Sequence, residues 1–216
     1  MQEFLMVFAL LIAYGAFHSL LATNSVKAFF LSLIGKRAYL GLYRLFYNAV
    51  ATITFLPILA VIAVDRGDTI WQVDAPLSYF LFAIQILGLI GLTISLLQID
   101  GMRFLGLKQA AAWLNGDKLP LIEEPLQLGG VYALVRHPLY LFSLMFIWPS
   151  ATMTSALLGL NIAITVYFIL GSLLEEQKLR QAFGPIYEQY QADVPWLIPF
   201  PKLGRTSKPL PKQTSD

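Results

Sequence analysis

Leu139 to Leu174 reads LYLFSLMFIWPSATMTSALLGLNIAITVYFILGSLL, without one formal charge. A helix of about 20 residues crosses a hydrocarbon core roughly 30 Å thick. This run is too long for one span and slightly short for two full ones. Pro149 and the cluster Ser150, Thr152, Thr154 and Ser155 interrupt it near the middle, so it predicts two spans folded as a tight hairpin. Working outward, Leu45 to Val64 and Leu77 to Leu97 are also uncharged, and Phe4 to Leu21 carries only His18. Each has the length of one span. The reading is an all-α integral membrane protein of about five transmembrane helices, because a chain in lipid must satisfy its backbone within helices.

Composition agrees. Of 216 residues, 57% are apolar and 13% are charged, where a soluble domain has about a quarter charged. Mean hydropathy is +0.65. The net charge of +2 gives no basis for nucleic acid binding, and the lipid bilayer is the expected partner. The chain has no cysteine and two histidines, His18 and His137. That excludes disulfides, thiolate ligands and a cysteine nucleophile, and no metal site is expected. Met1-Gln2-Glu3 lacks a basic n-region and the first apolar run exceeds a typical signal h-region, so it reads as a retained span.

Basic residues between the spans alternate sharply. Lys27, Lys36, Arg37 and Arg44 lie in the first connection, and Arg103, Lys108, Lys118 and Arg136 in the third. Lys178, Arg180, Lys202, Arg205, Lys208 and Lys212 lie in the tail, while Arg66 alone occupies the other side. Positive residues stay in the cytoplasm, so the N-terminus is expected outside and the C-terminus inside. Phe104 to Asn115 reads as a surface-lying helix stopped at Asn115-Gly116. A cytoplasmic helical tail follows Leu174 and stops at Gly184-Pro185. Residues 1–203 read as a single membrane domain, and 204–216 as a polar, disordered tail. No feature speaks to oligomeric state.

The topology brings polar residues to one depth. His18 ends span one, Asn48 begins span two, Gln98 and Asp100 end span three, Arg136 and His137 precede span four, and Glu175 and Glu176 end span five. Ionisable groups at this depth are costly and face a cavity or one another. In Arg136-His137-Pro138, proline suits the first helical turn and His137 sits at its mouth. Adjacent residues point about 100° apart on a helix, so one of Glu175 and Glu176 faces the bundle. The structural alternatives are a snorkelling Arg136 and a Glu176–Arg180 pair at i,i+4. Gly88 and Gly91 read as small-residue helix packing.

The ordered set Arg136-His137-Pro138-Leu139-Tyr140, an uncharged hairpin, Glu175-Glu176, Leu179, Phe183-Gly184, Tyr187, Tyr190 and Val194-Pro195…Ile198-Pro199 resembles the C-terminal half of membrane-embedded methyltransferases. These are the isoprenylcysteine carboxyl and phospholipid methyltransferases. Phe17-His18-Ser19-Leu20-Leu21-Ala22, Ile99-Asp100 to Gln109, and Pro149 to Thr154 resemble more closely the methanethiol S-methyltransferases and NnrU-type proteins. Gly101 departs from that pattern, where a histidine often follows the aspartate. The resemblance implies an S-adenosylmethionine cofactor held by Tyr132, Arg136, His137, Tyr140, Glu175, Glu176, Tyr187 and Tyr190. It implies Arg136, His137, Glu176 and His18 as catalytic residues, with His18, Asn48, Gln98 and Asp100 around the acceptor. The expected reaction is methyl transfer to a small or lipophilic thiol, at a bacterial inner membrane. Two other readings are kept: a sterol-type membrane reductase using a nicotinamide phosphate cofactor, and a non-catalytic protein with His18 and His137 as haem ligands.

Overall fold

A computed structural model describes residues 1–122 and 125–200. The expected disordered tail at 204–216 lies outside the described residues. In chain order the elements are α1 (Gln2–Leu21), α2 (Asn24–Val64), β1 (Thr69–Gln72), α3 (Leu77–Gln98), α4 (Gly101–Leu105), α5 (Leu107–Asn115), α6 (Pro138–Ile147), β2 (Thr152–Thr154), α7 (Ser155–Phe183) and α8 (Pro185–Asp193). A 3-10 turn at Gly130–Ala133 precedes α6. Among the described residues four helices, α1, α2, α3 and α7, are long and apolar enough to cross a membrane. Their exposed side chains include Leu10, Ile53, Phe80, Leu87 and Leu170, while Ser95, Asn161, Ser172 and Glu176 are buried. Large apolar side chains cover the outside of these long uncharged helices, where a soluble protein would carry polar ones, and this is a multi-pass membrane protein.

The chain forms two compact units. The first comprises residues 1–72, 100–123 and 152–164. Val7 and Leu11 of α1, Ile58 and Ile62 of α2, and Ala156 and Leu160 of α7 form its core. The connection after α1 is not a loop. Thr23 caps α2 by accepting a hydrogen bond from the Val26 N–H at 3.4 Å, and helix continues to a break at Gly35 (φ 77°, ψ 159°). Beyond the break, Arg37 donates to the Asp117 and Trp113 carbonyls and Arg44 to the Phe104 carbonyl. These bonds fasten α4 and α5 to the part of α2 that follows the break. The expected surface helix is therefore two helices, broken at Gly106 (φ 89°) and stopped at Gly116 (φ 82°).

A short ribbon was not expected. β1 and β2 pair antiparallel, with Gln72 opposite Thr152 and Trp71 opposite Met153. Four- and three-residue strands carry too little alternation to stand out between apolar runs.

The second unit comprises residues 73–99, 124–151 and 165–216. Here α6 lies along α3 with Phe142 against Gly91 and Phe146 against Gly88. Gln85 of α3 donates to the Phe146 carbonyl at 3.0 Å, near the end of α6. α6 has 10 residues, about half a bilayer crossing at 1.5 Å per residue, so the expected hairpin has one short arm. A second core packs Tyr187, Tyr190 and Val194 against Leu126, Leu128, Leu179 and Phe183.

Candidate active site

The second unit gathers Tyr132, Arg136, His137, Tyr140, Glu175, Glu176, Tyr187 and Tyr190. Local sequence explains how. Pro138 begins α6, so His137 occupies its N-cap. The backbone N–H groups of Arg136 and His137 donate to the Pro195 and Trp196 carbonyls at 2.9 and 3.3 Å, which ties this corner to the tail. Gly184 (φ 52°) and Pro185 end α7 and start α8, turning Tyr187 and Tyr190 inward, with 1% and 2% of their surface exposed.

Arg136 and Glu176 form the centre. Arg136 donates from Nε to Glu176 Oε1 at 2.5 Å and from Nη2 to Oε2 at 3.1 Å. Its Nη1 donates to the Gln191 and Val194 carbonyls at 2.9 and 2.8 Å. Glu176 also takes the Gln191 side-chain amide at 2.7 Å and faces His137 Nε2 at 3.2 Å. The side chains of the pair are 9% and 11% exposed. Two charges this far from water are stable only with every hydrogen bond in place. Glu176 is thus the glutamate that faces inward, and it pairs with Arg136 across the fold rather than with Arg180.

Glu175 differs. Its side chain is 48% exposed. Its Oε2 accepts the Tyr140 hydroxyl at 3.1 Å and lies 3.6 Å from His137 Nδ1. Tyr140 stacks on His137 at 5.4 Å and on Phe168 at 4.7 Å. The Tyr190 hydroxyl donates to the Tyr132 carbonyl at 2.5 Å. Burial, then the Glu175 charge, pushes the Tyr132 phenol up to about 12. Burial raises Tyr187 and Tyr190 well above the ordinary tyrosine range. All three phenols therefore stay neutral. The Tyr187 hydroxyl is enclosed and close enough to feel the Glu176 charge, yet makes no hydrogen bond of ordinary geometry. The Trp196 indole N–H is also buried, with no acceptor among the described residues.

The four residues expected around the acceptor have separate partners. Gln98, in the second unit, accepts from the Val131 N–H at 3.0 Å. His18, Asn48 and Asp100 belong to the first unit. His18 Nε2 meets the Tyr47 hydroxyl at 2.6 Å and its ring stacks on Tyr14. Tyr14 also lines an apolar cavity of about 300 Å³ with Phe17, Thr54, Pro57 and Ile58. Asn48 donates to the Phe104 carbonyl. Asp100 caps α4 through the Arg103 N–H and pairs with Lys108. No group of three or more His, Cys, Asp or Glu residues suited to a metal ion occurs among the described residues.

Sequence reasoning missed Gln191, Phe168, Tyr47 and Trp196. Gln191 had a signal, since it falls one helical turn after Tyr187 on the same face of α8. Tyr47 also had one, beside Asn48.

A methanethiol S-methyltransferase of Crocosphaera subtropica is 29% identical over 191 residues, 88% of this chain and 71% of that protein. Methanethiol S-methyltransferase 1 of Bradyrhizobium diazoefficiens is 29% identical over 197 residues, 88% of this chain and 65% of that protein. Over most of its length, then, the chain is similar to membrane methyltransferases. Its likeness extends to nurim of Sus scrofa, 26% identical over 79% of this chain and 66% of that protein. No family model and no solved structure matches the chain. The matches reach well beyond the tail motif, since 88% of the chain includes residues of both units.

Proposed function

We propose that this protein is an S-adenosylmethionine-dependent methyltransferase that acts on a small or lipophilic thiol. The observation that carries the reading is the meeting, in one unit, of Arg136, His137, Tyr140, Glu175, Glu176 and the α8 tyrosines. They come from three stretches of an otherwise apolar chain. The names of the relatives, methanethiol S-methyltransferases, support the thiol as acceptor.

The residues fit such a cofactor. It is a cationic nucleoside carrying an amino acid, and the second unit offers a half-exposed carboxylate at Glu175 and two buried, unsatisfied polar atoms, Tyr187 Oη and Trp196 Nε1. Buried groups left unpaired cost about 1–3 kcal/mol each, and a polar ligand removes that cost. The bound cofactor supplies an electrophilic methyl group. Arg136 and Glu176 hold the corner rigid, His137 is oriented by Glu176, and the buried, neutral Tyr187 and Tyr190 back it. The thiolate is the competent nucleophile. His18, Asn48, Gln98 and Asp100 remain the proposed acceptor residues, with the apolar cavity beside Tyr14 suited to an uncharged acceptor.

The embedding we propose has five crossings and a cytoplasmic C-terminus. The ribbon of β1 and β2 supports the count, since it joins the loop after α2 to the loop after α6. A return to that face takes a second crossing after α3, which we assign to α6. The test of the cofactor is a calorimetric titration of the detergent-purified protein with S-adenosylmethionine and, separately, reduced nicotinamide phosphate. Binding of the first alone is expected. Binding of the second alone transfers the case to a reductase.

A further inference from the structure

We infer that Glu175 reads the positive charge of the bound methyl donor, so that the site holds a sulfonium more tightly than the thioether left after transfer. This rests on the reading under Proposed function and adds a division of labour between two adjacent carboxylates.

Hydrogen-bond capacity decides the division. A carboxylate offers about four acceptor positions. Glu176 uses its Oε1 on Arg136 Nε and His137 Nε2, and its Oε2 on Arg136 Nη2 and the Gln191 amide. Nothing is left over for a ligand. Arg136 has spent four of its five N–H groups, two on Glu176 and two on carbonyls. Its charge is matched inside the fold by Glu176, so the buried pair presents no net charge at the rim.

Glu175 is the charge that remains. Its Oε2 has the Tyr140 hydroxyl and, further off, His137 Nδ1. Oε1 has no hydrogen bond among the described residues. Tyr140 is held by stacking on His137 and Phe168, which fixes the carboxylate while leaving one oxygen to face outward. A fixed, half-exposed anion over a neutral aromatic rim favours a cation. The ion pair is partly screened by water, so its expected worth is that of a semi-exposed pair, about a fivefold difference in affinity.

The consequence is directional. In methyl transfer the carbon–sulfur bond of the sulfonium breaks, its electron pair stays on the donor sulfur, and a new bond forms to the thiolate. The donor sulfur goes from cationic to neutral, and the thiol proton has passed to water before the transfer. Glu175 then loses its partner, which favours release of the product.

The test uses full-length protein in detergent and two probes: sinefungin, with an ammonium in place of the methylsulfonium, and S-adenosylhomocysteine, a neutral thioether. The parent is expected to bind sinefungin about fivefold more tightly. Glu175→Gln is expected to bind S-adenosylhomocysteine like the parent and to lose the preference, and Glu175→Ser to behave the same way. Equal weakening of both probes means that Glu175 reads a part common to them, and overturns the inference while leaving the proposed cofactor intact. A preference that survives both substitutions also overturns it. If the parent binds neither probe, the proposed cofactor fails and the inference falls with it.

Discussion

Arg136 and Glu176 are each about nine-tenths buried, and neither is stable there alone. Removing one partner of such a pair typically costs about 3–5 kcal/mol, because the other charge stays buried and unmatched. Arg136→Ala is therefore expected to lower stability by about 3 kcal/mol, measured by denaturant or thermal unfolding in detergent. Glu175→Gln, on a half-exposed side chain, should change it by less than about 0.5 kcal/mol. Equal effects at the two positions would mean that the pair is not the keystone of the corner. Much of this site was legible in the sequence. Arg136-His137-Pro138 announced a helix start with polar groups at its mouth, and the helical period required one of Glu175 and Glu176 to turn inward. Which one turned inward depends on a partner 40 residues away in the chain, and no local pattern carries that. Asp100 and Asn48 have structural partners too: Asp100 caps α4 through the Arg103 N–H, and Asn48 reaches the Phe104 carbonyl 56 residues away in the chain.

At the scale of elements, apolar runs located every long helix, because length and absence of charge are strong signals in lipid. They did not locate its ends. α2 extends far towards the N-terminus because helix continues on both sides of Gly35. α6 stops early, where Trp148-Pro149 closes an apolar stretch that composition alone cannot divide. Gly88 and Gly91 read as packing positions, and α6 does pack there. A Cβ at Gly88 would lie 2.8 Å from the Phe146 backbone nitrogen and 2.9 Å from the Phe142 carbonyl oxygen. Backbone cannot yield as a side chain can, so Gly88→Ala is expected to destabilise by about 1–3 kcal/mol, the range for overpacking. Unfolding in detergent checks it. A parent-like midpoint would mean that α3 and α6 are not in this contact.

At the scale of the whole molecule, fourteen of fifteen basic residues fall on one predicted side, and the ribbon of β1 and β2 gives an independent reason to place the loops after α2 and α6 on one face. The chain has no cysteine, so single cysteines report directly. With an impermeant thiol reagent on intact cells, Arg66→Cys should be labelled and Asn115→Cys protected until the membrane is opened. The reverse pattern would invert the topology and move the Arg136–Glu176 corner to the outer face, away from a cytosolic cofactor. Embedding itself suits the proposed chemistry, since an apolar thiol can arrive through lipid and a charged cofactor from water. The most direct measurement of that claim is purified protein with S-adenosylmethionine and methanethiol, with headspace dimethyl sulfide followed over time against a His137→Ala control. Dimethyl sulfide from the parent, with little from the control, is the predicted result. No methylated product from methanethiol or from larger thiols, in protein shown to be folded, would contradict the account.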